Sequence, residues 1–125
     1  IRTAHQTSTF TTSVCTGSLL LAAAGLLDGR RATTHFSARD LLTKYGAEPS
    51  DQRIVREGKI ITAAGVSSGI DMALHLAELL TDSTTAKALQ LMIEYDPQPP
   101  HDAGALHKVD QTVLARAQEL QRSKN

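Results

Sequence analysis

The most constraining feature of the chain is the segment Phe10-Thr11-Thr12-Ser13-Val14-Cys15-Thr16-Gly17-Ser18, which runs directly into Leu19-Leu20-Leu21-Ala22-Ala23-Ala24-Gly25-Leu26-Leu27. Thr7 to Val14 holds the β-branched and aromatic types that suit a strand. Leu19 to Leu27 is Leu and Ala with one Gly, which predicts a buried helix. No residues remain for a loop between them. The chain must turn from strand to helix at Cys15, and Gly17 allows the close backbone approach that such a turn needs.

That elbow has chemical content. A side chain at its apex projects at the carboxyl end of the sheet, where open α/β sheets bind ligands. It also stands at a helix N-terminus, where unpaired N–H groups and the helix dipole favour negative charge. A thiolate placed there is a nucleophile, and the amides of Thr16 and Gly17 can form part of an oxyanion hole. Cys15 is the single cysteine in the chain, so no internal disulfide competes for it. A small Cys buried under a helix fits the same pattern, and spacing alone leaves both readings open.

Four separated blocks carry a family resemblance. They are Ser13-Val14-Cys15-Thr16-Gly17-Ser18, the Ala-Gly-Leu-Leu-Asp-Gly-Arg-Arg-Ala-Thr-Thr-His-Phe run at 24–36, Ala-Gly-Val-Ser-Ser-Gly-Ile-Asp at 64–71, and Gln-Leu-Met-Ile-Glu-Tyr-Asp-Pro-Gln-Pro-Pro at 90–100. In this order they resemble the ThiJ/PfpI superfamily, relatives of class I glutamine amidotransferases, in the branch that includes isonitrile hydratases. The resemblance implies an α/β, flavodoxin-like sandwich with a mostly parallel sheet, helices on both faces and a nucleophile elbow at Cys15. It covers only the later part of the family domain, with the N-terminal strands missing. It also implies a homodimer and no cofactor.

The resemblance assigns roles residue by residue. Cys15 is the nucleophile, and the Thr16 amide takes the oxyanion position, although its hydroxyl equally suits a helix cap. Gly17 belongs to the same turn. The Thr-Thr-His segment lies beside the elbow, so His35 is either a proton partner of Cys15 or a hydrogen-bonded pocket histidine. Gly65 opens a second loop at the same end of the sheet; it lines the pocket, or the loop merely caps the next helix through Ser67 or Ser68. Family members also place an acidic side chain from an early strand against the cysteine. No residue here takes that place.

The rest of the chain reads as strand–helix alternation broken by one hairpin, which is an α/β pattern. Arg30 to Phe36 predicts a short strand. Ser37 and Asp40 resemble a capping box that opens a helix through Tyr45, stopped by Gly46. Ile54-Val55-Arg56 and Ile60-Ile61-Thr62 flank Glu57-Gly58-Lys59 as a hairpin. Val66 to Gly69 leads into a helix through Leu80 that is apolar nearly all round and therefore expected to be buried. Asp82 and Ser83 start the next helix, to about Glu94, with Ala88, Leu89, Leu91, Met92 and Ile93 facing inward. Three prolines make Asp96 to Leu106 an extended connection. A last helix runs from about Val109 to Arg122, ending in a frayed Ser-Lys-Asn tail.

Composition excludes several classes of function. The 13 basic and 13 acidic residues cancel, so no overall field draws nucleic acid or an anionic membrane. Aromatic residues are few and the basic ones scattered, which leaves no stacking platform for single strands. The apolar run at 19–27 is too short to span a bilayer. His-x-x-x-His and paired-Cys patterns are absent, so no metal site is expected. One cysteine and no targeting signal point to the cytoplasm. The length suggests one domain over 1–125, yet a strand feeding an elbow is normally central, and too few strands follow to flank it. Either the chain is a fragment, or an upstream chain accompanies it and completes the sheet.

The expected function is a cysteine-dependent enzyme that resembles isonitrile hydratase, adding water to a small-molecule isonitrile to give an N-substituted formamide. Relatives with the same elbow carry protease, deglycase, glyoxalase or amidase-like roles. Two alternatives stand beside it. One is the ligand-sensing module of a transcription regulator, although no basic recognition helix is visible in the sequence. The other is a redox or stress-response protein that uses the oxidation of an exposed thiol.

Overall fold

A computed structural model describes residues 1–123, so Lys124 and Asn125 of the expected frayed tail lie outside the described residues. The backbone contacts divide the chain into two units, Ile1–Glu94 and Tyr95–Asn125.

The first unit opens with a helix, α1 (Arg2–Thr7), where the sequence suggested only the approach to a strand. Lys59 explains its end. The Lys59 ammonium donates to the carbonyls of His5 and Ser8, groups that have no partner within a helix that ends there. Strand β1 is therefore confined to Thr11–Val14. A turn of 3-10 helix at Cys15–Gly17 follows without a loop, then α2 (Ser18–Ala23). Helix α2 stops short of the expected Leu27 because Gly25 adopts φ +79°. The Gly25 amide bonds the Ala22 carbonyl at 2.8 Å and the Leu26 amide bonds that of Leu21 at 3.0 Å, the paired closure of a Schellman end.

Only Arg31–Ala32 of the expected strand at Arg30–Phe36 forms β2. A 3-10 turn at Phe36–Ala38 leads into α3 (Arg39–Thr43), and β3 (Glu48–Pro49) pairs parallel with β2. The capping box at Ser37 and Asp40 does not form. The His35 ring accepts the Ser37 amide instead, so the side chain one turn earlier has already satisfied the helix start. The hairpin forms as expected, with β4 (Ile54–Glu57) antiparallel to β5 (Ile60–Ala63). Strand β5 also pairs parallel with β1, Thr11 opposite Ile60 through Val14 opposite Ala63, which gives the order β1-β5-β4. Among the described residues β1 has β5 as its one strand neighbour.

All residues of β5 are buried, as a strand covered on both faces must be. Ile60 joins Leu21, Ala22, Leu27, Ala32 and Leu42 in a core on one face. Ile61 and Ala63 join Met72 on the other, against α4 (Ser68–Leu80). Full burial of a side chain such as Leu27 or Leu42 contributes about 1.5–3 kcal/mol. The fold is α/β, with helices on both faces of the sheet.

Two expectations of burial fail. In α4 only Ser68 and Met72 are fully buried, and Ile70 and Leu80 are exposed. In α5 (Ser83–Met92), Asp82 caps the helix through the Thr85 amide at 2.8 Å as expected, but only Ala86 is buried. Leu91 and Met92 are 77% and 78% exposed, so the inward face assigned to them is open. The apolar sides of α4 and α5 bound a groove of about 590 Å³ with Val14 and Val66 at its other edge.

The second unit is an extended run from Tyr95, a 3-10 turn at Leu106–Lys108 and α6 (Gln111–Arg122). Asp110 caps α6 by accepting the Val113 amide at 3.0 Å. Among the described residues no helix is long and apolar enough to cross a membrane.

Candidate active site

The elbow forms where the sequence places it. Val14 is still extended, with φ −123° and ψ +139°, and the next residue, Cys15, has φ +58°. The left-handed region costs a residue with a Cβ on the order of 1–2 kcal/mol, so the surroundings must hold it there. Besides the Ser18 amide, which closes the 3-10 turn on the Cys15 carbonyl, three contacts do so. The Cys15 amide donates to the Ala64 carbonyl at 2.8 Å, extending the β1–β5 ladder by one rung. The Cys15 carbonyl accepts from the Thr34 hydroxyl at 2.9 Å and from the Ser18 hydroxyl at 3.2 Å.

The reversal leaves the Cys15 side chain half-buried and Thr16 exposed. Gly17 stands over Ser13, where an added Cβ would lie 3.8 Å from the Ser13 Cβ, an ordinary contact. The Thr16 amide lies in the first turn of this helical segment, where a helix leaves N–H groups without a partner of its own.

His35 is beside the elbow without bonding to it. Its Nδ1 lies 2.7 Å from the Ser37 hydroxyl and accepts the Ser37 amide at 3.3 Å, which leaves the ring proton on Nε2. The ring stacks at 4.5 Å, tilted, on Phe36. Its other edge faces Gly65: a Cβ there would lie 3.3 Å from the ring Cδ2. The structure thus brings His35 and Gly65 together, next to the Ala64 carbonyl that anchors Cys15. Among the described residues, Cys15 Sγ has no hydrogen bond to His35 or to a carboxylate.

The second loop, 64–67, is fixed from its far side. Arg53 Nε donates to Asp71 Oδ2 in the first turn of α4, and its Nη2 reaches the Ser67 hydroxyl at 3.3 Å. Neither Ser67 nor Ser68 caps α4 with its side chain, as the sequence suggested, because Ser67 is turned to Arg53. Gly69 then brings α4 against β1; a Cβ there would be 3.0 Å from a Val14 methyl. Sequence reasoning passed over Thr34, Ser18 and Arg53. No signal in the sequence separates Thr34 from its neighbour Thr33, although both are buried.

No group of three or more His, Cys, Asp or Glu side chains converges among the described residues. The apolar groove beside α4 and α5 is lined by Val14, the residue before Cys15, and by neither Cys15 nor His35.

Comparison with known proteins adds a family and three relatives. The model of the DJ-1/PfpI family matches residues 1–79. The isonitrile hydratase of Pseudomonas putida is 46% identical over 119 residues, covering 95% of this chain and 52% of that protein. The HTH-type transcriptional regulator CdhR of Pseudomonas aeruginosa is 46% identical over 63 residues, 49% of this chain and 19% of that protein. The crystal structure of a THiJ/PfpI family protein from Pseudomonas syringae superposes with a TM-score of 0.85 at 46% identity, covering 91% of this chain and 47% of that one. The chain spans about half the length of the hydratase and of the crystallised protein.

Proposed function

Because the chain belongs to the DJ-1/PfpI family, we propose that it carries the nucleophile of a cysteine-dependent enzyme that hydrates isonitriles. The carrying observation is the extent of the likeness to isonitrile hydratase, 95% of this chain. In this reading the Cys15 thiolate attacks the terminal carbon of R–N≡C, and a proton delivered to that carbon gives the thioimidate R–N=CH–S–Cys15. Water adds to the same carbon while the nitrogen takes a proton. The tetrahedral adduct expels the thiolate, its hydroxyl proton leaves, and R–NH–CHO is released.

Each residue has a role on this path. The amides of Thr16 and Gly17 stabilise charge on the oxygen of the adduct in this reading. In this reading His35, whose ring lies on Gly65, donates a proton to substrate from the side of the second loop. No cofactor is required, because the isonitrile carbon is already electrophilic. The acidic partner that family members set against the cysteine would come from the length of the relatives that this chain does not span. The edge of β1 away from β5, which has no strand neighbour among the described residues, is where such a segment would dock. The assembly we expect is a homodimer.

The test is formamide production from a simple alkyl isonitrile by the purified protein, with Cys15→Ala as control. Turnover lost in the variant supports the reading; turnover equal in both sinks it. The likeness to CdhR over 63 residues favours a second reading, a ligand-sensing module. Stoichiometric isonitrile binding without product, together with retention of operator DNA, would favour that one.

A further inference from the structure

Thr33 and Thr34 are adjacent and both completely buried, yet their hydroxyls have different surroundings. The Thr33 hydroxyl has no hydrogen-bond partner among the described residues, although the Thr33 amide donates to the Thr62 hydroxyl at 2.9 Å. The Thr34 hydroxyl donates to the carbonyl of Cys15 at 2.9 Å. Ser18, equally buried, reaches the same carbonyl with its hydroxyl at 3.2 Å. A carbonyl at the apex of the elbow, which also accepts the Ser18 amide in the 3-10 turn, is thus held by side chains from two separate segments.

That carbonyl shares a rigid peptide plane with the Thr16 amide, and in a trans peptide the C=O and N–H point in opposite directions. No peptide bond among the described residues is cis. Drawing the Cys15 oxygen into the protein therefore turns the Thr16 N–H outward, to the side where Cys15 is presented. The same bond opposes relaxation of Cys15 from φ +58° to the ordinary negative range, since that rotation would swing the carbonyl away from Thr34.

We propose that Thr34, assisted by Ser18, is a positioning residue: it fixes the Cys15–Thr16 peptide plane, and with it both the thiol and the amide donor beside it. The proposal rests on Cys15 being the nucleophile. It does not require that the substrate be an isonitrile. Thr34 touches no substrate. It acts through the backbone, and the unpartnered Thr33 hydroxyl next to it is a built-in control of equal burial.

The experiment measures the rate of Cys15 alkylation by iodoacetamide in the native purified protein, for Thr34→Val, Thr34→Ser and Thr33→Val. Thr34→Val keeps the shape and removes the donor, so alkylation should slow about five- to tenfold, the scale of one net hydrogen bond. Thr34→Ser restores the hydroxyl and should return the rate to within about twofold, and Thr33→Val should leave it there, since it removes no bond. Wild-type reactivity in Thr34→Val overturns the proposal. So does equal slowing in Thr33→Val, or failure of Thr34→Ser to restore the rate, because packing alone would then explain the loss. If Thr34→Val does not fold by circular dichroism, Ser18→Ala decides: slowed alkylation in a folded protein supports the clamp, and an unchanged rate overturns it. None of these measurements uses isonitrile, so the clamp stands or falls separately from the hydratase assay.

Discussion

Two parallel strands, side by side, pass into helices at the same end of the sheet, and they do it in different ways. Strand β1 turns within a single residue, Cys15, at φ +58°, and the next three residues are already helical. Strand β5 ends at Ala63 and takes 64–67 to reach α4 at Ser68, with no residue at positive φ on the way. The first junction is strained, and buried hydroxyls hold it. The second is relaxed, and a surface Arg–Asp pair holds it. Of these two junctions, strain is therefore confined to the one where a side chain has to be pushed out of the sheet. The second junction serves the first by supplying a carbonyl at Ala64 and by leaving room at Gly65 and Gly69.

The sharpest break of this contrast is removal of the thiol. Cys15→Ala should lower isonitrile hydration on the order of 10³-fold or more while the fold survives, read as formamide released over time. Next in size is Gly65→Ala. A Cβ at 3.3 Å from the His35 ring must displace it, and turnover should fall about tenfold with little change in melting temperature. If turnover holds, the room left at the second junction serves packing alone.

Cys15→Gly separates strain from chemistry. Relief of a left-handed cost of roughly 1–2 kcal/mol is offset by the roughly 0.5–1 kcal/mol that a Gly loses in backbone freedom. The variant should be inactive and more stable by about 0.5 kcal/mol in urea unfolding. A less stable Cys15→Gly would mean that the thiol's packing, rather than the backbone, dominates the elbow. Arg53→Ala should be smaller in its consequences for the site. The Arg53–Asp71 pair has side chains 45% and 29% exposed, so its loss should cost about 0.2–1 kcal/mol of stability and leave alkylation of Cys15 within about twofold.

The smallest effect lies at a third helix start, far from either junction in kind. Asp82 is held below the usual carboxylate range, first by the Thr85 amide and then by the Thr85 hydroxyl. Its folded pKa is lower than its unfolded one, so its contribution is complete above the unfolded value and disappears as pH falls through the folded value. Hydrogen exchange at the Thr85 amide should accelerate on acidification below the ordinary carboxylate range, after correction for the intrinsic rate. Unchanged protection there would show that the cap does not depend on the charge.

How far these features are legible in the sequence depends on whether local composition or distant contact decides them. The elbow is legible because no residue separates a strand composition from a Leu/Ala run; the hairpin at Glu57–Ile60 and the cap at Asp82 are equally local. Helix α1 is not, since its end is completed by Lys59, a residue from the hairpin turn. At Gly25 a Schellman stop and a tolerated helical glycine look alike in composition, and the expected helix runs past the real end of α2. The inward faces assigned to Leu91 and Met92 fail because apolar spacing shows which side needs cover and not what covers it. At the site, the residue types at Cys15, Thr16, Gly17 and His35 are readable. That Thr34 bonds Cys15 and Thr33 bonds nothing through its hydroxyl is not, since the two are the same amino acid one position apart.

The φ of Cys15 also bears on how this chain can change over generations. A cysteine codon becomes a glycine codon by a single first-base substitution, and glycine is the residue that this backbone angle favours most. Glycine is thus one mutational step away and is favoured by the backbone once it arises. Any lineage in which the thiol ceases to matter should drift to glycine here early and lose nothing in yield of folded protein, whereas one that keeps cysteine does so against that preference.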